Sequence, residues 1–308
     1  MERRNFLKTL ALGGAAGMMQ LRPEGLLAKP AKAPAAANDL VAVMGGEPAQ
    51  LYAKAIAAMG GIGKFVKKGQ RVVIKPNIGW DRKPELAADT NPELVAAIVK
   101  DCLAAGATEV GVFDHTCDDW KQCYKTSGIE DAVKAAGGKM LFAHEEKYYR
   151  EVAIPQGKRL KKAKVHEAIL DYDVWINVPV LKNHGGAKMT IAMKNSMGVV
   201  WDRRFWHSND LQQCIADFST YKKPALNIVD AYRIMTQNGP QGTSLNDVQV
   251  PKALFIAIDP VAVDTASVNF FSQYKTMTIN DASHIKLGEA MKVGTTQLDT
   301  LKVERIKL

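Results

Sequence analysis

Arg71-Val72-Val73-Ile74-Lys75, a helical run over 91–106, and Val110-Gly111-Val112-Phe113 read together as a strand, a helix and a second strand. The first strand is a short β-branched run after the Lys68-Gly69-Gln70 turn, as in strands buried on both faces. Asn91 is an N-cap residue and Pro92 suits the first helical position; Leu94, Ala97, Ile98 and Cys102 share one face, and Gly106 ends the helix. Two strands joined through a helix of that length run parallel.

The alternation continues outward in both directions. Downstream, helices are predicted over 129–136, around 190–197, over 209–218, over 260–271 behind the Asp259-Pro260 cap, and near 282–291. Strands are predicted over 139–143, 174–178, 225–229, 253–258 and near 301–306. The polar, Lys-rich stretch 145–165 reads as an excursion from the sheet. With neither a fixed-period repeat nor a Gly/Ser linker, the expectation for residues 38–308 is one α/β domain. Its sheet is open, mostly parallel and doubly wound (Rossmann-like), with helices on both faces.

The chain has 308 residues, is 47% hydrophobic and 24% charged, and contains four cysteines, which excludes disordered, fibrous and disulfide-dense classes. No run of 18 apolar residues is present, so a stable membrane span is not expected. The formal net charge of +9 is concentrated at the start. Residues 1–37 hold six Lys/Arg and two Asp/Glu, and without them the charge is about +5. That segment has a charged beginning, a mild apolar stretch from Thr9 to Leu21, and a small-residue end at Ala35-Ala36-Ala37. Arg3-Arg4-Asn5-Phe6-Leu7-Lys8 resembles the twin-arginine export signal of bacteria, with Glu2 where Ser or Thr is usual. The resemblance implies a signal peptide cleaved near Ala37, twin-arginine machinery as a partner, and a periplasmic product. No basic arm interleaved with aromatic residues remains, so nucleic acid is not an expected partner.

Open α/β sheets bind ligands at the carboxyl ends of their strands. Here those ends read Lys75-Pro76-Asn77, Asp114-His115, Pro179 followed by Lys182-Asn183-His184, Asp230, and Asp259. Lys188, Lys194 and Asn195 stand beside them, and Gly185-Gly186 frees the backbone to approach a ligand. Ammonium groups gathered in a cleft repel unless an anion or facing carboxylates neutralise them. The sequence therefore offers Lys75, Asn77, Lys182, Lys188, Lys194, Asn195 and Asp230 as ligand-binding residues for a small anion. Internal pairing of these lysines with Asp114, Asp230 and Asp264 is the competing reading. His184 and His115 are the candidate general acid/base residues. A divalent metal is a further candidate cofactor, with Asp114 and Asp264 as oxygen ligands.

Six motifs carry a family resemblance. They are Val73-Ile74-Lys75-Pro76-Asn77, Thr90-Asn91-Pro92-Glu93-Leu94-Val95, Val178-Pro179-Val180-Leu181-Lys182-Asn183-His184, Met193-Lys194-Asn195-Ser196-Met197-Gly198, Ile228-Val229-Asp230-Ala231, and Asp259-Pro260-Val261-Ala262-Val263-Asp264. In this order they resemble domain-of-unknown-function family 362, with Asn183 where Thr is commoner. Many members of that family carry a ferredoxin-like Cys-x-x-Cys-x-x-Cys segment. This chain has no Cys-x-x-Cys, so no ferredoxin-type iron–sulfur cluster is expected.

Cys117 and Cys123 lie in one loop and suit either a disulfide or free thiols, one of them near His115. Trp201, Asp202, Arg203, Arg204, Phe205, Trp206 and His207 suit either a lid with an arginine grip or a helix packed on the domain. Two functions follow: an enzyme acting on a small anion with a lysine clamp and a histidine acid/base, or a non-catalytic binding or cofactor-assembly protein for an anionic molecule or metallocofactor.

Overall fold

The computed structural model describes residues 38–308; the export segment read from the sequence lies outside them. In chain order the first elements are β1 (Leu40–Met44), α1 (Pro48–Ala58), β2 (Arg71–Pro76), α2 (Pro92–Ala104), β3 (Glu109–Val112), α3 (Trp120–Thr126), α4 (Ile129–Ala135) and β4 (Lys139–Met140). Then come β5 (Tyr149–Ala153), β6 (Lys162–His166), α5 (Glu167–Asp171), β7 (Val174–Val178), β8 (Val180–His184), β9 (Lys188–Thr190), α6 (Ala192–Asn195), α7 (Arg204–Ser208) and α8 (Leu211–Ser219). The chain continues through β10 (Leu226–Met235), β11 (Val248–Gln249), β12 (Ala253–Ala257), α9 (Pro260–Phe271), α10 (His284–Ala290) and β13 (Val303–Lys307).

The main sheet runs β13-β1-β12-β10-β7-β2-β3-β4. Strands β7, β2, β3 and β4 are parallel neighbours, while β12 runs antiparallel to both β1 and β10. The fold is thus a mostly parallel mixed sheet with helices on both faces. Successive residues of a strand face opposite sides, and the core divides accordingly. Val72 and Ile74 join Leu51, Leu94, Ile98, Ile129 and Val133 beneath α1, α2 and α4. Val73 joins Phe218, Val263, Phe271 and Ile285 beneath α8, α9 and α10. Ten of the twelve residues of α9 are buried, with the hydroxyls of Thr265 and Ser267 satisfied by the Val261 and Val263 carbonyls of the preceding turn.

Local chemistry explains the boundaries. Asn91 caps α2 by accepting the Glu93 N–H at 2.9 Å, and Pro92 follows at the first position. Asp259 caps α9 through the Val261 and Ala262 N–H groups. The excursion over 145–165 contains β5 and β6, a separate antiparallel pair.

Three expectations need correction. The strand expected over 139–143 is only two residues long, with β3 as its one partner in the sheet. The helical stretch expected around 190–197 begins as β9, forms a single α turn in α6, and tightens to a 3-10 turn at Ser196–Val199. The strand expected over 225–229 continues to Met235, because it exchanges its parallel neighbour. β10 pairs with β7 at Leu226 and Asn227, then with β8 at Asp230 and Met235. At Pro179 the chain leaves the sheet line, and β8 turns outward to form a hairpin with β9. The space so opened beside β2 holds the polar site.

Candidate functional site

A cavity of about 350 Å³ opens at the carboxyl end of β2, walled by residues from β2, β8, α6 and the segment before α7. Lys75, Asn77, His115, Lys182, His184, Lys194 and Asn195 all line it, as do Asp114, Cys117, Arg203 and His207. The topology thus gathers eight of the sequence-derived candidates, Asp114 among them, around one space. Three more fall elsewhere. Asp230 is buried on backbone N–H groups of Asn91 and Tyr232 and positions the α2 cap. Lys188 is exposed on the β8–β9 hairpin, away from the cavity wall. Asp264 accepts the Ala192 and Met193 N–H groups at 2.7 and 3.0 Å and anchors α6. The two residues offered as metal ligands are not brought together: Asp264 accepts two backbone N–H groups, Asp114 faces Lys75, and no group of three potential ligands converges among the described residues.

Lys75 is 1% exposed, forms an ion pair with Asp114 at 3.0 Å and donates to Asn195 Oδ1 at 2.7 Å. Burial lowers its pKa against the opposing pull of Asp114. Asp114 is fixed in turn by the Ile78 N–H at 2.8 Å. Gly198 crosses directly over this pair. A Cβ there would lie 2.0 Å from Asp114 Oδ1 and 2.6 Å from Lys75 Nζ, which explains the glycine closing the 193–198 motif.

Lys182 has all three of its N–H donors taken: by Asn77 Oδ1 at 3.0 Å, Pro240 O at 3.0 Å, and the Ala88 carbonyl. Burial lowers its pKa, and the carboxylate of Asp89 opposes the shift. Asp89 is itself pushed up by burial; its Oδ1 accepts the Gly79 and Trp80 N–H groups, while Oδ2 has no hydrogen bond. Lys75 and Lys182 therefore belong to the frame of the cavity as ion-pair and hydrogen-bond partners.

A chain of amides holds this frame. Asn195 accepts from Lys75 and Asn77 and donates to Asn177; Asn177 donates to Asn227, which donates to the Ile258 carbonyl. Each amide both donates and accepts, so the row crosses the sheet without adding charge. Thr90 locks the Asn77 backbone from the side, accepting its N–H at 2.8 Å while donating to Val178 O.

Lys194 differs from the other two lysines. It is half-buried in the cavity wall and has neither an ion pair nor a hydrogen bond among the described residues. Burial pushes its ammonium down to about 7; Cys117 opposes this, while Arg203, Lys75 and Lys182 add to it. Arg203 likewise has no carboxylate partner among the described residues. Its guanidinium is clamped by the His115 and Thr116 carbonyls at 2.6 and 2.7 Å, with Cys117 Sγ 3.6 Å away.

The two candidate histidines have distinct tautomers, assigned by their neighbours. His184 Nδ1 accepts the Ala187 N–H at 3.1 Å, so the proton sits on Nε2. Burial and the nearby Lys194 push it down to about 2, which makes it a permanent donor and not a proton carrier at neutral pH. His115 donates from Nδ1 to Val200 O at 3.0 Å and stacks on Trp201 with centroids 4.8 Å apart, leaving Nε2 as an acceptor. Burial and Arg203 push it down to about 4.

The segment after Gly198 forms the short helix α7, packed on the domain on one side and lining the cavity on the other. Trp206 is fully buried against Phe218, while Arg203, Arg204 and His207 face the cavity. A wider groove of about 740 Å³ adjoins along His115, Arg203 and Arg204 and is floored by residues of β6. All four thiols are free, in contrast to the disulfide alternative: Cys123 is on the buried face of α3, and Cys117 is exposed at the cavity mouth.

Sequence reasoning missed Asp89, Thr90, Asn177, Asn227 and Gly198 as site-forming residues. Asn177 had a signal, as the one polar residue inside the apolar run Val174-Trp175-Ile176-Asn177-Val178.

Comparison with known proteins agrees with the motif reading. The family model described as domain of unknown function (DUF362) matches residues 72–269. A thylakoid-associated protein of Synechocystis sp. is 26% identical over 237 residues, 72% of each chain. The lactate racemase apoprotein of Thermoanaerobacterium thermosaccharolyticum superposes with a TM-score of 0.42 at 11% identity, covering 75% of this chain. The match spans only 56% of that racemase chain.

Proposed function

The chain belongs to the family described as domain of unknown function (DUF362), and from that premise we propose that it binds a small anion in the cavity between Lys194 and Arg203. One observation carries the reading: the Lys194 ammonium has no partner among the described residues, yet shares its cavity with Lys75, Lys182 and Arg203. Asp114 balances Lys75, and Asp89 balances Lys182. Among the described residues no carboxylate pairs with Lys194, Arg203 or Arg204, and an arriving carboxylate or phosphate oxygen would balance them.

Arg203 presents a planar fork preset by two carbonyls, Lys194 a mobile point charge, and His184 an Nε2–H donor. Each charged hydrogen bond to the anion contributes about 1.5–3 kcal/mol. Binding also returns the proton to Lys194, since an adjacent negative charge favours the ammonium.

Thermal melts with phosphate, sulfate and a series of carboxylates test the reading. At least one anion raises the parent's melting temperature, and Lys194→Met and Arg203→Met each weaken that response about tenfold or more. In anion-free buffer Lys194→Met melts no lower than the parent, because a repelled cation has gone. A parent whose melting temperature ignores every anion would overturn the proposal.

A further inference from the structure

We infer that Lys194 forms an imine with a small carbonyl compound that also carries a carboxylate, a 2-oxo acid being the class that fits. The inference rests on the anion reading, since Arg203 holds the carboxylate while the Lys194 nitrogen meets the carbonyl carbon.

The argument begins with elimination among the amines of the cavity. Lys75 is tied to Asp114 and Asn195, and Lys182 has three oxygen acceptors around it. Neither has a lone pair to offer without dismantling the frame. Lys194 makes no such contacts among the described residues and faces open space. A nucleophilic lysine must also be uncharged, and burial beside other cations is the established way to make it so. Lys194 has that setting: Arg203, Lys75 and Lys182 crowd it, and its own charge acts on His184, His207 and His284. Cys117 opposes this, and it sits at the exposed mouth. With an ammonium pushed down to about 7, a large share of Lys194 is free amine at neutral pH. An ordinary exposed lysine is about one part in a thousand free amine there.

The chemistry balances without any further reactant. Nζ attacks the carbonyl carbon, a C–N bond forms, and one N–H proton passes to the oxygen to give a carbinolamine. The C–O bond then breaks, the second N–H proton leaves with that oxygen as water, and a neutral imine remains. Protonation of the imine nitrogen by solvent gives the iminium, whose positive charge replaces that of the ammonium. The 350 Å³ cavity has room for an acid of a few carbons.

The test is reductive trapping on the full chain. Glyoxylate, pyruvate or 2-oxoglutarate is added with sodium cyanoborohydride, and peptide mass spectrometry locates the reduced adduct. At least one acid should modify Lys194 on the order of tenfold or more faster than exposed Lys54 and Lys125, reflecting its larger free-amine fraction. Acetate or phosphate in excess should slow only the Lys194 adduct, and Lys194→Arg should remove it. The comparison between lysines is made within the parent protein, so it stands even if the variant fails to fold. Lys194 modified no faster than Lys54 by any of the three acids overturns the imine. If carbonyl-free anions still raise the melting temperature in that case, the anion reading survives; if none does, both fall.

Discussion

Gly198→Ala probes how rigidly the buried ion pair is held. The added methyl carbon would stand 2.0 Å from Asp114 Oδ1 and 2.6 Å from both Cε and Nζ of Lys75. Relief to van der Waals distance requires a movement of roughly 1.5 Å. Asp114 cannot supply it freely, because its other oxygen is bound to the Ile78 N–H at 2.8 Å. Lys75 cannot either, because its second donor is on Asn195. With exposures of 1% and 3%, water does not repair a separated pair. Overpacking costs about 1–3 kcal/mol and a fully broken buried pair about 3–5, so a partial opening should cost about 3 kcal/mol. For a domain of this size that is a fall in melting temperature of about 6–12 °C. Circular dichroism melts and urea titrations of the parent and Gly198→Ala measure it. The same substitution in an Asp114→Ala background should cost at least about 1.5 kcal/mol less, since the obstructing carboxylate has gone. A drop under about 2 °C, or an equal penalty in both backgrounds, would show that the strand ends are softer than argued.

Three other outcomes can be checked directly. Folding lowers the Lys194 pKa, so the unfolded chain binds more protons between about pH 7 and 10.5, and this residue makes stability rise with pH across that window. Lys194→Met should flatten the rise, and a parallel profile by chemical denaturation refutes the assignment. Alkylation without reductant should label Cys117 rapidly in the native protein and leave Cys102, Cys123 and Cys214 until unfolding; a Cys117–Cys123 bond would instead leave both unlabelled. We propose that the segment before Asn38 directs export, so Arg3→Lys with Arg4→Lys should retain precursor in the cytoplasm, whereas periplasmic protein beginning at Met1 would contradict cleavage near Ala37.

Strong punctuation made much of the fold legible. Asn91-Pro92 and Asp259-Pro260 place cap and first turn next to each other, and α2 and α9 begin where those pairs predict. Glycine in positions fit for a turn was equally clear at Gly106. The split at Pro179 was illegible for a physical reason. Strand β8 is defined by its partners on β10 and β9, and partners distant along the chain leave no local period. The site shows the same division. Residue types at strand ends pointed to the cavity, and Lys75, Asn77, Lys182, His184, Lys194 and Asn195 line it. Which lysine is framed and which is free depends on acceptors such as the Ala88 and Pro240 carbonyls, and a backbone oxygen has no signature in sequence. Asp230 and Asp264 misled because a carboxylate fastening a helix start looks the same, in letters, as one awaiting a ligand.

The position of β1 carries a consequence for biosynthesis. It lies between β12 and β13, paired residue for residue from Leu40 with Ala257 and Val303 to Met44 with Ala253 and Lys307. The bond from the Lys302 N–H to Asp39 spans 263 residues. β1 ends at Met44 while β12 begins at Ala253 and β13 at Val303, so on the ribosome this strand waits a long time for either neighbour, and contact order that high slows folding. Until then β1 is an exposed, apolar ribbon, open to mispairing with other chains. Holding that ribbon during translation is the task such a topology sets for the cell's chaperones.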